Sequence, residues 1–545
     1  MSLRDRLSER AKKVATSGPV LRFLSDDRVM RLTTGVMDAR TRLETARGLA
    51  KEALLVLRDG QGMPSIDPAL AYSDDDIKVA KNGATNGHAA KTNGHAANGA
   101  THTVTGGETA AAPSAPKPQP IGPRNTDEAE LAASMAERAS LAKVGGKDVF
   151  DKCFKFMTAD NARAMGVYPF FRPLDFNNGP EAQLEGKKVT MLGSNNYLGL
   201  TTHPKVREAA KVAIDKYGTS MTGSRLVNGT MKLHKELEDK LAAYHGKEAG
   251  LVFTSGYQVN IATISALLAN KRSVAVIDKD DHASIYDGVR LAQAQGAKMV
   301  RYKHNDPASL DAALSEIEDA DGALVITDGV FSAQGEIANI PGIVEVVKKH
   351  KARLFVDDAH GLGVLGPAGR GTAAHFGVAD QVDLIGGTFS KSLASIGGWL
   401  VGDRKVLDYI QHFAYSFLFA ASAPPAQVAA AMAALEVMQE EPWRQEKLRE
   451  NFTYMRTELR RLGFELGNTD TAVIPIYIRQ DLRTVMMWKS LLDDYSIYVN
   501  PFIQPGVPPK QQVLRTSYMA THERHHLDRA LEAFEKVGKK FGVIH

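Results

Sequence analysis

Residues 353–361 read Arg353-Leu354-Phe355-Val356-Asp357-Asp358-Ala359-His360-Gly361, and residues 386–392 read Gly386-Gly387-Thr388-Phe389-Ser390-Lys391-Ser392. The first stretch is an apolar strand run that ends on Asp-x-x-His. The second ends another strand on a small-residue turn that carries a lysine. Together they have the layout of a pyridoxal phosphate (PLP) site. PLP needs a lysine amine to hold its aldehyde as a Schiff base. It also needs an acid partner that keeps the pyridine nitrogen protonated, so that the ring can act as an electron sink. Lys391 and Asp357 fit those roles. His360, one short turn beyond Asp357, is placed to reach a ring oxygen, and Thr388, three residues before Lys391, to bind phosphate.

Outward from this pair, buried runs alternate with helical patterns. The runs are 250–253, 273–277, 323–326, 353–356 and 384–385; the helix-like segments include 204–217, 234–244 and 343–351. Such alternation predicts an α/β architecture with a mostly parallel sheet. Ligands in such sheets bind outside the carboxyl ends of the strands, where the motifs fall. Thr254-Ser255-Gly256-Tyr257-Gln258 opens a helix after the first run, and a glycine turn there can offer backbone N–H groups to an anion. Many strand-to-helix turns carry Ser-Gly without binding anything. His282, in Asp281-His282-Ala283-Ser284, suits either stacking on a flat heterocycle or capping the next helix. Ser332 suits a hydrogen bond to a ring substituent or the holding of a turn. Arg515, within the strand-like run Val513–Ser517, suits a carboxylate clamp or a structural ion pair.

Composition limits the alternatives. The chain has 545 residues, 43% hydrophobic and 24% charged, as expected of a globular protein of two or three domains. A net charge of +4 without a concentrated basic stripe argues against nucleic-acid binding. Cys153 is the only cysteine, so an intrachain disulfide is excluded and a reducing, cytoplasmic setting is expected. No apolar run approaches the roughly 18 residues of a membrane span, and the opening Met1-Ser2-Leu3-Arg4-Asp5-Arg6 lacks a signal-peptide core.

Five zones are expected: a helical N-terminal extension (1–75), a disordered linker (76–145), an N-terminal arm of the catalytic region (146–190), a PLP-binding large domain (191–435) and a smaller α+β C-terminal domain (436–545). In the extension Val29, Leu32, Val36, Leu43, Ala46, Ala50, Leu54 and Leu57 follow helical spacing. That pattern suits a self-packed helical hairpin. It also suits a docking helix for a partner, a carrier protein or the inner face of a membrane as a peripheral contact. In the linker Asn86-Gly87-His88-Ala89-Ala90 repeats as Asn93-Gly94-His95-Ala96-Ala97 ahead of a proline-rich stretch. There is little to bury, and His88 and His95 read as solvated residues. No metal site is expected.

The segment from about 150 to 545 resembles the α-oxoamine synthase family of PLP enzymes. The resemblance is carried, in family order, by Gly193–Leu200, Gly223–Thr230, Ser255-Gly256-Tyr257, His282-Ala283-Ser284, Asp357–His360, Thr388–Lys391 and Leu514-Arg515. Three further stretches, 281–288, 486–500 and 537–544, make it most similar to the bacterial members that use L-serine. The resemblance implies fold type I, the aspartate-aminotransferase-like architecture, and a homodimer with active sites at the subunit interface. It implies that Lys391 holds the cofactor and acts as base, that Asp357 meets the pyridine nitrogen, and that His360 bonds the ring oxygen. His282 would stack on the ring, and Gly256, Tyr257, Ser332 and Thr388 would help to hold the cofactor. Arg515 would bind the amino acid carboxylate, while Asn196, Tyr197 and the 419–425 loop would serve the neighbouring site. Lys391, His282, Asp357 and His360 form the expected catalytic set.

Two departures from the family pattern are visible. Phe419-Ala420-Ala421-Ser422-Ala423-Pro424-Pro425 keeps only Ser422 as a hydroxyl for phosphate contact across the dimer. The stretch 501–508 lacks an arginine, which leaves Arg515 as the lone carboxylate anchor. The implied reaction is a decarboxylating condensation of L-serine, or another small amino acid, with a long-chain acyl thioester of coenzyme A or acyl carrier protein, giving 3-oxosphinganine. Family chemistries built on glycine, alanine or threonine-derived substrates with other thioesters are the alternatives. A silent partner subunit of the same fold should lack the lysine.

Overall fold

The computed structural model describes residues 148–318, 322–504, 506–508 and 510–545. The expected extension and linker, residues 1–145, lie outside them. The strands in chain order are β1 (Leu174–Asn178), β2 (Glu181–Leu184), β3 (Lys187–Met191), β4 (Ala249–Phe253), β5 (Ser273–Asp278), β6 (Lys298–Tyr302), β7 (Gly322–Asp328), β8 (Arg353–Asp357), β9 (Leu384–Thr388), β10 (Gly398–Gly402), β11 (Val473–Tyr477), β12 (Ile497–Tyr498), β13 (Asn500–Phe502) and β14 (Val513–Ser517).

The central sheet has the order β4-β10-β9-β8-β7-β5-β6. Every strand runs parallel except β10, which pairs antiparallel with β4 on one side and β9 on the other. Helices cover both faces, so the strands read as unbroken apolar runs rather than as alternation. Leu354, Phe355 and Val356 of β8 and Val274–Ile277 of β5 are fully buried. β9 is short of side chains because its neighbours take the room: a Cβ on Gly386 would lie 3.0 Å from Phe355, and one on Gly387 3.1 Å from the Trp399 ring.

The crossovers that matter for the site are α1 (Gly256–Leu267) after β4 and α2 (Ala283–Ala294) after β5. They pack on each other through Gly288, whose Cα faces the Asn260 carbonyl and the Ile264 side chain. Periodicity in the sequence predicts β4, β5, β7, β8 and β9 but passes over β6 and β10. β6 sits at the sheet edge with four of its five residues at least partly exposed, so its apolar signal is weak.

α3 (Pro425–Glu440) is alanine-rich and largely buried, and it runs through the boundary expected at 435/436. Beyond it a second sheet, β11-β14-β13, is antiparallel and is flanked by α4 (Trp443–Arg461), α5 (Asp481–Tyr495) and α6 (Arg524–Lys540). β1, β2 and β3 form an antiparallel meander that takes β12 as a parallel fourth strand. That pairing fastens the segment before Gly193 to the C-terminal sheet. Among the described residues no helix is long and apolar enough to cross a membrane, and no cluster of His, Cys, Asp and Glu has the form of a metal site.

Candidate active site

The strand ends of β4, β5, β7, β8 and β9 converge on a cavity of about 310 Å³. Its walls include Gly256, Tyr257, His282, Ser332, Asp357, His360, Thr388 and Lys391. The eight residues expected to hold a cofactor therefore share one cavity. The registers explain why: Asp328 of β7 pairs with Asp357 of β8, and Asp357 with Gly386 of β9.

Each wall is pinned from behind. Asp281 is buried and accepts from the backbone N–H of both Asp278 and Asp328, at 2.9 Å each. It thus ties the end of β5 to the end of β7. The next residue, His282, donates its own N–H to Asp328 Oδ2 at 3.1 Å and caps α2. Its Nδ1 accepts from the Ser284 N–H and lies 2.7 Å from Ser284 Oγ. Asp357 receives the Ala359 N–H on Oδ1 at 3.1 Å and the Asn260 amide on Oδ2 at 2.6 Å. The lysine turn is locked by buried Phe389 and by Ser392 Oγ, which donates to the Leu362 carbonyl at 2.6 Å. Thr388 Oγ1 donates to the Gly397 carbonyl at 3.1 Å and accepts the Ser390 N–H.

The electrostatics suit proton traffic. Burial lowers the Lys391 amine from 10.5 to about 8, with Arg515 adding to the effect while Asp357 and Asp328 oppose it. Burial, with the Lys391 charge, also keeps His282 and His360 below the ordinary imidazole value. Asp328 is pushed well up by burial and by the neighbouring Asp357 and Asp278. Tyr197 is fully buried, raised to about 12, and its hydroxyl lies 2.6 Å from His360 Nδ1. A neutral His360 that accepts the Tyr197 hydroxyl proton on Nδ1 carries its own proton on Nε2.

Arg515 of β14 is buried, donating from Nε to the Ser332 carbonyl at 2.6 Å and from Nη1 to Asn195 Oδ1 and Ser517 Oγ at 3.0 Å each. Tyr197 links this arginine to His360. Asn196 is turned elsewhere: its amide donates to Thr201 Oγ1 at 2.8 Å, and within this chain it does not line the cavity. Asn195 is the asparagine that meets Arg515, a choice between neighbours that the sequence does not reveal. Sequence pattern alone assigns no role to Asn260, Ser284 or Asp328, which the fold brings to the same site. Asn260 had a usable signal, since it lies four residues after Gly256 and hence on the same helix face. Ser422 is buried, with its N–H on the Gly223 carbonyl at 3.0 Å.

The cavity fits PLP. At Gly256 a Cβ would lie 2.6 Å from Thr388 Cβ, so only glycine lets the start of α1 approach the β9 turn. Ser255 caps α1 through the Gln258 N–H, and the remaining first-turn amides have no partner inside the helix, which is the environment an anionic phosphate requires. A carboxylate for the pyridine nitrogen, an amine for the aldehyde and an imidazole beside the ring position are all present.

Comparisons with known proteins agree. The family model for aminotransferase class I and II matches residues 187–534. A serine palmitoyltransferase of Sphingobacterium spiritivorum is 45% identical over 71% of this chain and 95% of its own length. An 8-amino-7-oxononanoate synthase of Thermoanaerobacter pseudethanolicus is 38% identical over 71% of this chain and 96% of its own length. A solved structure of SPT with its PLP internal aldimine superposes with a TM-score of 0.70 at 34% identity, covering 73% of this chain and 100% of that one. The fold is the type I fold of PLP-dependent transferases, the cofactor is pyridoxal phosphate, and the chain belongs to the class I and II aminotransferase family as one of its α-oxoamine synthases.

Proposed function

We propose that this enzyme condenses L-serine with a long-chain acyl thioester, releasing carbon dioxide and the thiol and giving 3-oxosphinganine, the first intermediate of sphingolipid synthesis. The observation that carries the reading is the 45% identity to a serine palmitoyltransferase across 95% of that protein. The acyl carbon exchanges its bond to sulfur for one to the serine Cα, and the Cα–carboxylate bond breaks. When bound, PLP supplies the electron sink for the pair left on Cα as a proton or carbon dioxide departs.

The chain's own residues do the rest. Lys391 Nζ would hold the cofactor aldehyde and, when free, would take the Cα proton and later return one. An amine with a pKa of about 8 has a usable neutral fraction at physiological pH, whereas an ordinary lysine does not. Asp357, aligned by Asn260 and the Ala359 N–H, would keep the pyridine nitrogen protonated. His282 would flank the ring, and His360 would give its Nε2–H to the ring oxygen. Gly256, Tyr257, Ser332 and Thr388 would complete the cofactor site. Arg515, steadied by Ser332 and Asn195, would anchor the serine carboxylate without a second arginine from 501–508. The thiolate leaves as the thiol by taking a proton from solvent.

The working unit we infer is a cytoplasmic homodimer. Exposed Ile396, Tyr415 and Phe419 lie on the segments next to the lysine turn and the 419–425 loop, and a second copy would cover them. Asn196 remains a proposed contributor to substrate binding on this dimer reading, whereas Tyr197, buried with its hydroxyl beside His360 of its own chain, would act in its own site rather than the neighbouring one. The decisive experiment is product mass spectrometry of the purified, PLP-loaded chain with serine, glycine, alanine and threonine against acyl-CoA and acyl-carrier-protein donors. Formation of 3-oxosphinganine from serine with a long-chain donor is expected. Preference for alanine with a dicarboxylic thioester would replace this reading with the aminooxononanoate synthase reaction.

A further inference from the structure

Asn260 lies one turn into α1, 1% exposed. One nitrogen, Nδ2, serves two acceptors: Asp357 Oδ2 at 2.6 Å and Ser284 Oγ at 2.8 Å. Ser284 Oγ in turn lies 2.7 Å from His282 Nδ1. The direction of every bond in this chain is forced. An ionised carboxylate only accepts, so the amide must present its NH2 group to Asp357. The second amide proton then goes to Ser284 Oγ, and the serine hydroxyl proton goes to His282 Nδ1. That nitrogen also receives the Ser284 N–H, so it is an acceptor twice over. The imidazole proton is left on Nε2.

The arrangement leaves Asn260 Oδ1 buried without a hydrogen-bond partner among the described residues. An orphaned buried carbonyl is destabilising, and the two bonds donated by the amide nitrogen offset that cost. Here the oxygen is left unpaired while both amide protons are spent on groups that face the cofactor cavity.

We propose that Asn260 is a positioning residue that joins two catalytic groups: it orients the Asp357 carboxylate toward the pyridine nitrogen and, through Ser284, fixes His282 in the Nε2–H tautomer. This rests on the reading that Asp357 and His282 face the PLP ring. The helix whose N-terminus lines the cavity thereby also carries the residue that orients Asp357. Gly256 and Asn260, four residues apart on one face, let α1 meet both Thr388 and Asp357.

The test uses the full chain. PLP affinity is measured by titrating the apoprotein, and the histidine tautomer by histidine-selective 15N spectra of the holoprotein, with the His282 signal assigned by its loss in His282→Gln. Asn260→Asp keeps the shape and removes the donor; Asn260→Ala removes both arms. Each should weaken PLP binding about tenfold to a hundredfold, the size of a lost hydrogen bond to a charged group. Ser284→Ala cuts only the second arm. It should hold PLP within about threefold of wild type while kcat falls and the His282 tautomer becomes mixed, an asymmetry that a general packing defect would not produce. The proposal is overturned if both Asn260 variants bind PLP like wild type, or if the His282 proton in wild type sits on Nδ1. If an Asn260 variant fails to fold, the wild-type tautomer and Ser284→Ala still decide. If wild type itself shows no visible PLP band, the cofactor reading has failed rather than this inference.

Discussion

Replacing Lys391 by methionine should stabilise the apoprotein at neutral pH while abolishing turnover. Burial holds the Lys391 amine at about 8 rather than 10.5 in the folded chain. Below about 8 the amine is charged in both folded and unfolded states, and the folded state bears the full desolvation penalty. At about 1.4 kcal/mol for each tenfold change in proton affinity, that penalty is about 3 kcal/mol. Between the two values the unfolded chain binds a proton that the folded chain does not, so wild-type stability rises with pH across this window. Above 10.5 both states are neutral and the penalty is gone. Methionine matches the lysine side chain through Cε and carries no charge, so its packing cost is small. Urea unfolding of the two apoproteins should therefore show the variant ahead by up to about 3 kcal/mol at pH 7, with the gap closing by about pH 11. Competitive amine labelling should place the Lys391 midpoint near 8 independently. A variant no more stable than wild type at neutral pH, or a gap that ignores pH, would refute the claim that this amine is held in a desolvated, base-ready state.

Gly256→Ala forces a Cβ to within 2.6 Å of Thr388. The overpacking should cost about 1–3 kcal/mol and appear as a loss of PLP affinity in apoprotein titration, with the far-UV spectrum retained. Arg515→Lys replaces a fork bonded to Ser332 and Asn195 with a point charge. The KM for serine should rise about tenfold or more while PLP affinity holds, and an unchanged KM would remove Arg515 from the substrate site. His304 gives a second pH signature, away from the chemistry. Burial works against its charge, but Asp278 at 3.0 Å and Glu336 at an ion-pair distance of 3.7 Å raise it from 6.5 to about 10. Its stabilisation is fully present below 6.5 and is lost as pH rises through about 10. His304→Gln should remove that slope from the stability–pH profile.

The chemistry expected of this protein is legible in local sequence because the candidate catalytic groups sit at or just beyond strand ends, Asp357 on β8 with His360 after it, His282 after β5 and Lys391 after β9. An apolar run followed by Asp357, a glycine pair followed by Thr388 and Lys391, and a Ser-Gly turn at Gly256 are short-range patterns. Sheet burial and helix-start geometry write them directly into the chain. Tyr257, His282, Ser332 and His360 reach the same cavity by the same logic. What local pattern leaves open is any decision that depends on strands far apart in sequence. The insertion of β10 between β4 and β9 is such a decision. So is the choice of Asn195 over Asn196 as the partner of Arg515, made by a strand more than three hundred residues away. Asn260 is unremarkable on a helix until the registers of β8 and α2 bring Asp357 and Ser284 onto one amide nitrogen. Residue types and their spacing determined the cofactor and the class of reaction, because Schiff-base chemistry requires particular functional groups. Tertiary structure alone decided how those groups are aimed and protonated, since hydrogen-bond direction and desolvation are set by neighbours in space.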